Sequence, residues 1–161
     1  MFDDIQDLLD RHAASYMAGR MDDLAETYRL PLAFYLDDQL LLMRSREEVI
    51  RTYEDHRRRL MHMGLTGLRA EALQIELRSS PLFQFHAVWY RRFGKEESRG
   101  ADVQYFARRS REGLRIEMVR ISRLSLPAMK EWSSTTDQTL RPDDTPPQPR
   151  TVVRSLHRKE P

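Results

Sequence analysis

The chain has 161 residues, enough for one domain with a real core and too few for two ordinary ones. Its 27 Lys and Arg against 25 Asp and Glu leave a net charge of +2, too little to predict a grip on nucleic acid or on an anionic membrane. Without cysteine, disulfide scaffolds, zinc-thiolate centres, iron–sulfur clusters and cysteine nucleophiles are excluded. The acidic start Met-Phe-Asp-Asp-Ile and the lack of any long apolar window predict a cytoplasmic protein with no signal peptide and no membrane span.

Ile5, Leu8, Leu9, His12 and Tyr16 recur at helical spacing, Asp3 and Asp4 sit where the helix dipole favours anions, and Gly19 supplies a left-handed stop. This is the first helix. A second, short one is expected to start with Asp22 as N-cap, to present Leu24 and Tyr28, and to end before Pro31. Leu32 to Leu36 and Leu40 to Met43 flank Asp37-Asp38-Gln39 as a hairpin, with Asp37 read as a turn residue. Ser45 followed by Glu48 forms a capping box, opening a helix whose inner face reads Val49, Tyr53, His56, Leu60 and Met63.

From Leu65 the period changes to two, and turn chemistry at Ser79-Ser80-Pro81, Gly94 to Gly100 and Ser110 to Gly113 divides the segment into a four-stranded antiparallel meander. Phe83, Phe85, Ala87 and Trp89 share one face of the second run, with Gln84, His86, Val88 and Tyr90 on the other. Neither face is strongly polar, so both are expected to meet protein. Val88, Tyr90, Phe106, Val119 and Ile121 are read as an outer patch that a homodimer would cover. Residues 133–161 hold five of the eight prolines and only four aliphatic residues. They are read as a disordered tail after a folded domain of residues 1–132, and its deletion is expected to leave stability unchanged.

The order helix, helix, hairpin, capped helix, meander resembles the nuclear transport factor 2-like superfamily, particularly its SnoaL-like and ketosteroid-isomerase-like members. Tyr16-Met17-Ala18-Gly19-Arg20-Met21-Asp22-Asp23-Leu24 resembles that superfamily's helix junction, and Arg46-Glu47-Glu48-Val49-Ile50 resembles the opening of its third helix. The resemblance covers residues 3 to 132. It implies an α+β fold, a cone in which three N-terminal helices pack on the concave face of a curved, mostly antiparallel sheet, with the convex face against a second subunit. It also implies a conical pocket for a small molecule. Laid on the isomerase pattern, His12 falls where the first helix supplies a tyrosine, Leu36 where a strand supplies the carboxylate base, and Tyr105 where the meander supplies a protonated aspartate. Leucine cannot abstract a proton, so that constellation is broken. Asp37 would serve only with a register slip, which would reverse its face.

His12 and Tyr16, one helical turn apart, are an acid/base pair or else a satisfied histidine beside an aromatic wall. Tyr53 and His56 repeat the arrangement with a stronger packing role. On the last strand Leu114, Ile116, Met118, Arg120 and Ser122 are read on one face, which puts the Arg120 guanidinium either in an apolar pocket or at its rim. His12, Tyr16, Phe34, Tyr53, Trp89, Tyr105 and Met118 are expected to line one cavity, with Arg120 at its wall or rim. Arg91 is read with other arginines at strand ends as a solvated rim. The five histidines lack metal-ligand spacing and no phosphate loop is present, so neither metal nor cofactor is expected. Two functions compete: a ligand-binding or dimerisation module without turnover, and a cofactor-free isomerase, dehydratase or hydrolase using His12 and Tyr16.

Overall fold

A computed structural model describes residues 1–36, 38–79 and 81–124, in the order α1 (Phe2–Ala18), α2 (Met21–Ala25), β1 (Tyr28–Leu36), β2 (Gln39–Met43), α3 (Arg46–His62), β3 (Leu65–Ser79), β4 (Leu82–Phe93), β5 (Glu96–Ser110) and β6 (Gly113–Leu124). Asp37 and the tail lie outside the described residues. Helix α1 buries Ile5, Leu8, Leu9, His12, Ala13 and Tyr16, the stripe its periodicity dictates. It ends where expected. Gly19 adopts φ 73°, and the Arg20 and Gly19 N–H groups donate back to the Ser15 and Tyr16 carbonyls at 2.9 and 3.2 Å, the Schellman pattern. Helix α3 opens on the capping box, with the Glu48 N–H on Ser45 Oγ at 3.2 Å and the Ser45 N–H on Glu48 Oε2 at 3.4 Å.

The six strands form one sheet in the order β2-β1-β6-β5-β4-β3. Its pairs are antiparallel except β1 with β6, which is parallel, so the fold is α+β with a mostly antiparallel sheet. On its helix-bearing face Phe85, Trp89, Tyr105, Val119 and Phe34 meet α1 and α3, and the core forms there. Strand β3 ends the sheet. Gln6 of α1 covers its backbone, donating from Nε2 to the Ala70 carbonyl at 2.9 Å and accepting from the Ala72 N–H at 3.1 Å.

Local signals misplace three features. Helix α2 has Arg20 at its N-cap, with no side-chain cap, and Asp22 lies within its first turn. Tyr28 opens β1 instead of ending a helix, because Tyr28 pairs with Ile116 of β6, and the strand runs on through Pro31. Met63 is the C-cap of α3 and is 47% exposed.

Two bulges decide which side chains face the helices. In the β5–β6 ladder Ala107 pairs with Ile116 but Phe106 pairs with Met118, so Glu117 is an extra residue and the alternation inverts beyond it. Ile116, Val119 and Ile121 therefore share the buried face. Met118 and Arg120 pair with Phe106 and Gln104 on the opposite face, away from the helices. Val119 and Ile121 thus leave the expected outer patch. In the β4–β5 ladder Trp89 pairs with Ala101 and Tyr90 with Arg99, which makes Gly100 the extra residue of β5. Val88 does lie on the outer face but is buried by the chain itself, and Tyr90 there carries the Arg69 guanidinium 3.9 Å above its ring.

Candidate functional site

Between α1, α3 and the sheet lies a cavity of about 70 Å³. Helix α1 contributes His12 and Tyr16, and α3 contributes Tyr53, His56 and Leu60. Strands β1, β3, β4 and β5 add Phe34, Leu68, Trp89, Arg91, Ala101 and Tyr105. The two helices are tied together at one point. The Arg57 guanidinium of α3 donates from Nε to the Tyr16 carbonyl at 2.7 Å and from Nη2 to the Met17 carbonyl at 3.1 Å, supplying donors to the C-terminal end of α1. Gly19 allows this, since a Cβ there would lie 3.2 Å from the guanidinium carbon. The preceding residue of α3, His56, meets Tyr16, with the hydroxyl 2.8 Å from Nδ1.

His12 is 6% exposed and held by rings: Tyr28 and Tyr53 edge-on at 5.8 and 5.6 Å, and Trp89 tilted at 5.3 Å. Burial alone pulls its pKa down to about 4, so it is a neutral imidazole at pH 7. Burial, with Arg91 and Arg59 adding repulsion, brings His56 down to about 3. Behind His12 the Tyr28 and Tyr53 hydroxyls share a hydrogen bond. The Trp89 indole N–H donates to the Tyr105 hydroxyl at 2.7 Å, and Tyr105 stacks on Phe85 at 4.9 Å. Desolvation pushes the phenols of Tyr16, Tyr28, Tyr53 and Tyr105 above the usual tyrosine range, so all four stay protonated. The cavity is thus furnished with neutral hydrogen-bonding groups and one guanidinium, and no carboxylate lines it among the described residues. His12 also borders a groove of about 470 Å³ lined by residues of α1, α2 and the β5–β6 turn.

The chain matches the family described as NTF2-like protein (DUF6841) over residues 3–122. It belongs to that family. No curated protein matches it. Among solved structures it is similar to a domain of unknown function with a cystatin-like fold from Nostoc punctiforme, at 16% identity and a TM-score of 0.61, covering 83% of both chains. An NTF-2-like protein of unknown function from Shewanella oneidensis is also 16% identical, with a TM-score of 0.61, over 75% of this chain and 98% of that one. A protein from Catenulispora acidiphila, solved in complex with S-DNPA, is 13% identical, with a TM-score of 0.55, over 74% of this chain and 90% of that one. At these identities the likeness is one of fold.

Within this NTF2-like fold, six sequence-predicted residues come together at the cavity: His12, Tyr16, Phe34, Tyr53, Trp89 and Tyr105. Met118 and Arg120 do not, because the Glu117 bulge turns them to the outer face. Leu36, at the position where a base would sit, is buried on the core face. His56, read as packing, touches Tyr16 instead. Arg91, read as rim, is 3% exposed and lines the cavity. Its place was available from the alternation Phe83, Phe85, Ala87, Trp89, which the next step of two carries to residue 91. Among the described residues no group of three or more His, Asp and Glu is placed to hold a metal, and no helix is long and apolar enough to cross a membrane.

Proposed function

We propose that this chain binds a small, partly apolar molecule in a conical pocket between α1, α3 and the sheet, with no reaction assigned to it. The observation that carries the reading is the convergence of imidazole, phenol and indole groups from four elements, α1, α3, β4 and β5, on one cavity with no carboxylate among the described residues lining it. Such a lining offers hydrogen bonds and aromatic walls but lacks the strong base that proton abstraction from carbon requires. A volume of about 70 Å³ holds only the inner part of a ligand, since a cavity of roughly 150 Å³ is what accepts benzene. That the Catenulispora acidiphila neighbour was solved with S-DNPA supports a ligand-binding use of the fold.

Native mass spectrometry of the protein purified from its own host tests this. A retained mass that is released on denaturation, and is depleted in the His12→Ala variant, is expected. A bare chain that also shows no thermal shift with any small aromatic or aliphatic probe would overturn it. A second reading, an isomerase, dehydratase or hydrolase, draws on the Tyr16 hydroxyl held 2.8 Å from His56 Nδ1, a phenol–imidazole pair able to pass a proton, with His12 across the cavity.

The partner in this reading is a second copy of the chain, seated on the outer face of the sheet. There Ala33, Tyr35, Phe106 and Met118 remain half-buried in one chain, an apolar strip smaller than the sequence implied. Sedimentation at micromolar concentration should give a dimer that Phe106→Arg converts to monomer. A wild-type monomer at that concentration would remove the dimer.

A further inference from the structure

Arg108 follows the buried Ala107 on β5 and Arg115 precedes the buried Ile116 on β6, so the two arginines stand directly opposite one another on the outer face of the sheet. Like charges at such a pair of positions cost stability. The bulge at Glu117 offsets part of that cost, since the inserted carboxylate takes Arg108 and, at 3.0 Å, Nη1 of Arg29 from β1. Arg111 joins them from the β5–β6 turn. Ser110 sets the shape of that turn, its Oγ accepting the Glu112 N–H at 3.2 Å and donating to the Gly113 carbonyl at 3.3 Å. Arg29, Arg108, Ser110, Arg111, Glu112 and Arg115 line one groove of about 340 Å³, which shares no lining residue with the cavity.

The acids that pair with these cations are Glu117 and Glu112, the latter 3.3 Å from Nη2 of Arg115, and Arg111 has no ion pair among the described residues. Four guanidiniums less two carboxylates leave two positive charges around the groove. We propose that this groove binds a small phosphate monoester, its head group held between Arg108, Arg111 and Arg115. The site is separate from the cavity and does not depend on what the cavity holds. A phosphate monoester carries about two negative charges at pH 7, matching the surplus, where a carboxylate or sulfate ester would leave half of it unbalanced. Each guanidinium has five N–H donors in a planar fork, so Arg108 and Arg115 keep donors for phosphate oxygens while holding their carboxylates. The cations ring one groove and form no stripe along the surface, which suits a single phosphate group better than a nucleic-acid backbone.

The test titrates phenyl phosphate into the full-length chain at pH 7 and low ionic strength by calorimetry, with backbone amide resonances followed by NMR and phenyl sulfate, a monoanion of the same shape, as the comparison. The phosphate should bind about tenfold more tightly than the sulfate, shifting Arg29 and the residues from Arg108 to Arg115, and should weaken as salt rises to about 0.15 M. Arg111→Gln, which breaks no ion pair, should weaken phosphate binding about tenfold. Arg58→Gln, the same loss of charge at an exposed position of α3, should leave it unchanged. If the two variants bind phenyl phosphate alike, whether both are weakened or neither is, the groove is not the site. Equal affinity for phosphate and sulfate would overturn the dianion. Shifts confined to other residues, or none at millimolar phenyl phosphate, would overturn the proposal outright. Sedimentation with phosphatidic acid vesicles separates a lipid head group from a free ester: capture by the vesicles without binding of phenyl phosphate would overturn the small-molecule source.

Discussion

The free energy of unfolding should fall by several kcal/mol as pH drops from 6.5 to 4.5, before most carboxylates titrate. His12 and His56 carry the effect. His12 is buried and His56 half-buried, both as neutral rings, with pKa values drawn down to about 4 and about 3 from the ordinary 6.5. Above pH 6.5 neither state binds these protons and the two rings contribute no pH dependence. Below it the unfolded chain protonates both while the folded chain resists, so the unfolded state binds more protons and stability declines, by about 1.4 kcal/mol per pH unit for each histidine. The decline levels off only once the folded-state values are passed, and a typical domain, with some 5–15 kcal/mol in hand, is largely spent by then. Exposed carboxylates act lower. Arg109 holds the Asp4 carboxyl below its usual range, and Arg69 does the same for Glu97, so their contributions are lost at more acid pH. Urea denaturation at half-unit pH steps measures the slope. His12→Leu and His56→Gln should each remove about half of it, and a wild-type profile flat from pH 6.5 to 4.5 would mean that the two rings are accessible to protons in the folded state.

The parts of the fold that were legible in the sequence are those fixed by neighbours in the chain. Gly19 stops α1 because a left-handed residue is needed there, and Ser45 with Glu48 opens α3 because the two groups satisfy each other's backbone across three residues. The hairpin and the meander were legible for the same reason. What escaped depends on pairing across the sheet. Tyr28 suits the end of a helix through Leu24 as well as the start of a strand, and only its partner Ile116 on β6, far along the chain, decides between them. A run of two-residue alternation carries no mark of an inserted residue, so extending the face of Ile116 to Met118 and Arg120 crosses the Glu117 bulge and lands both on the wrong side. The site inherits that asymmetry. Its helical residues, His12, Tyr16 and Tyr53, followed from periodicity, whereas its cation came out as Arg91 instead of Arg120. Alternation had in fact offered residue 91, and the bulge residue Gly100 leaves open the space that the Arg91 side chain occupies.

Phe85→Ala should cost about 3–5 kcal/mol of stability and loosen the cavity floor as well. Phe85 is 0% exposed at the middle of β4, paired with Ile75 on one side and Tyr105 on the other, and its ring stacks on Tyr105 at 4.9 Å. Truncation removes both the transfer energy of a whole ring and the contacts that its neighbours make with it, and a sheet cannot collapse into the space because its ladders fix the strand spacing. Tyr105 is the side chain left unsupported. Its hydroxyl accepts the Trp89 indole N–H at 2.7 Å, so a tilting Tyr105 ring weakens the one hydrogen bond that orients Trp89 over the cavity. The variant should therefore show a lowered urea midpoint with an unchanged slope, together with a shift in Trp89 fluorescence in the folded state. Phe106, half-buried on the opposite face of β5, is the control: its truncation removes a ring of the same size outside the core and should cost well under half as much in the isolated chain. Equal losses at the two positions would mean that the outer face is as deeply covered as the inner one, and the division of the sheet into a cavity face and a partner face would have to be abandoned.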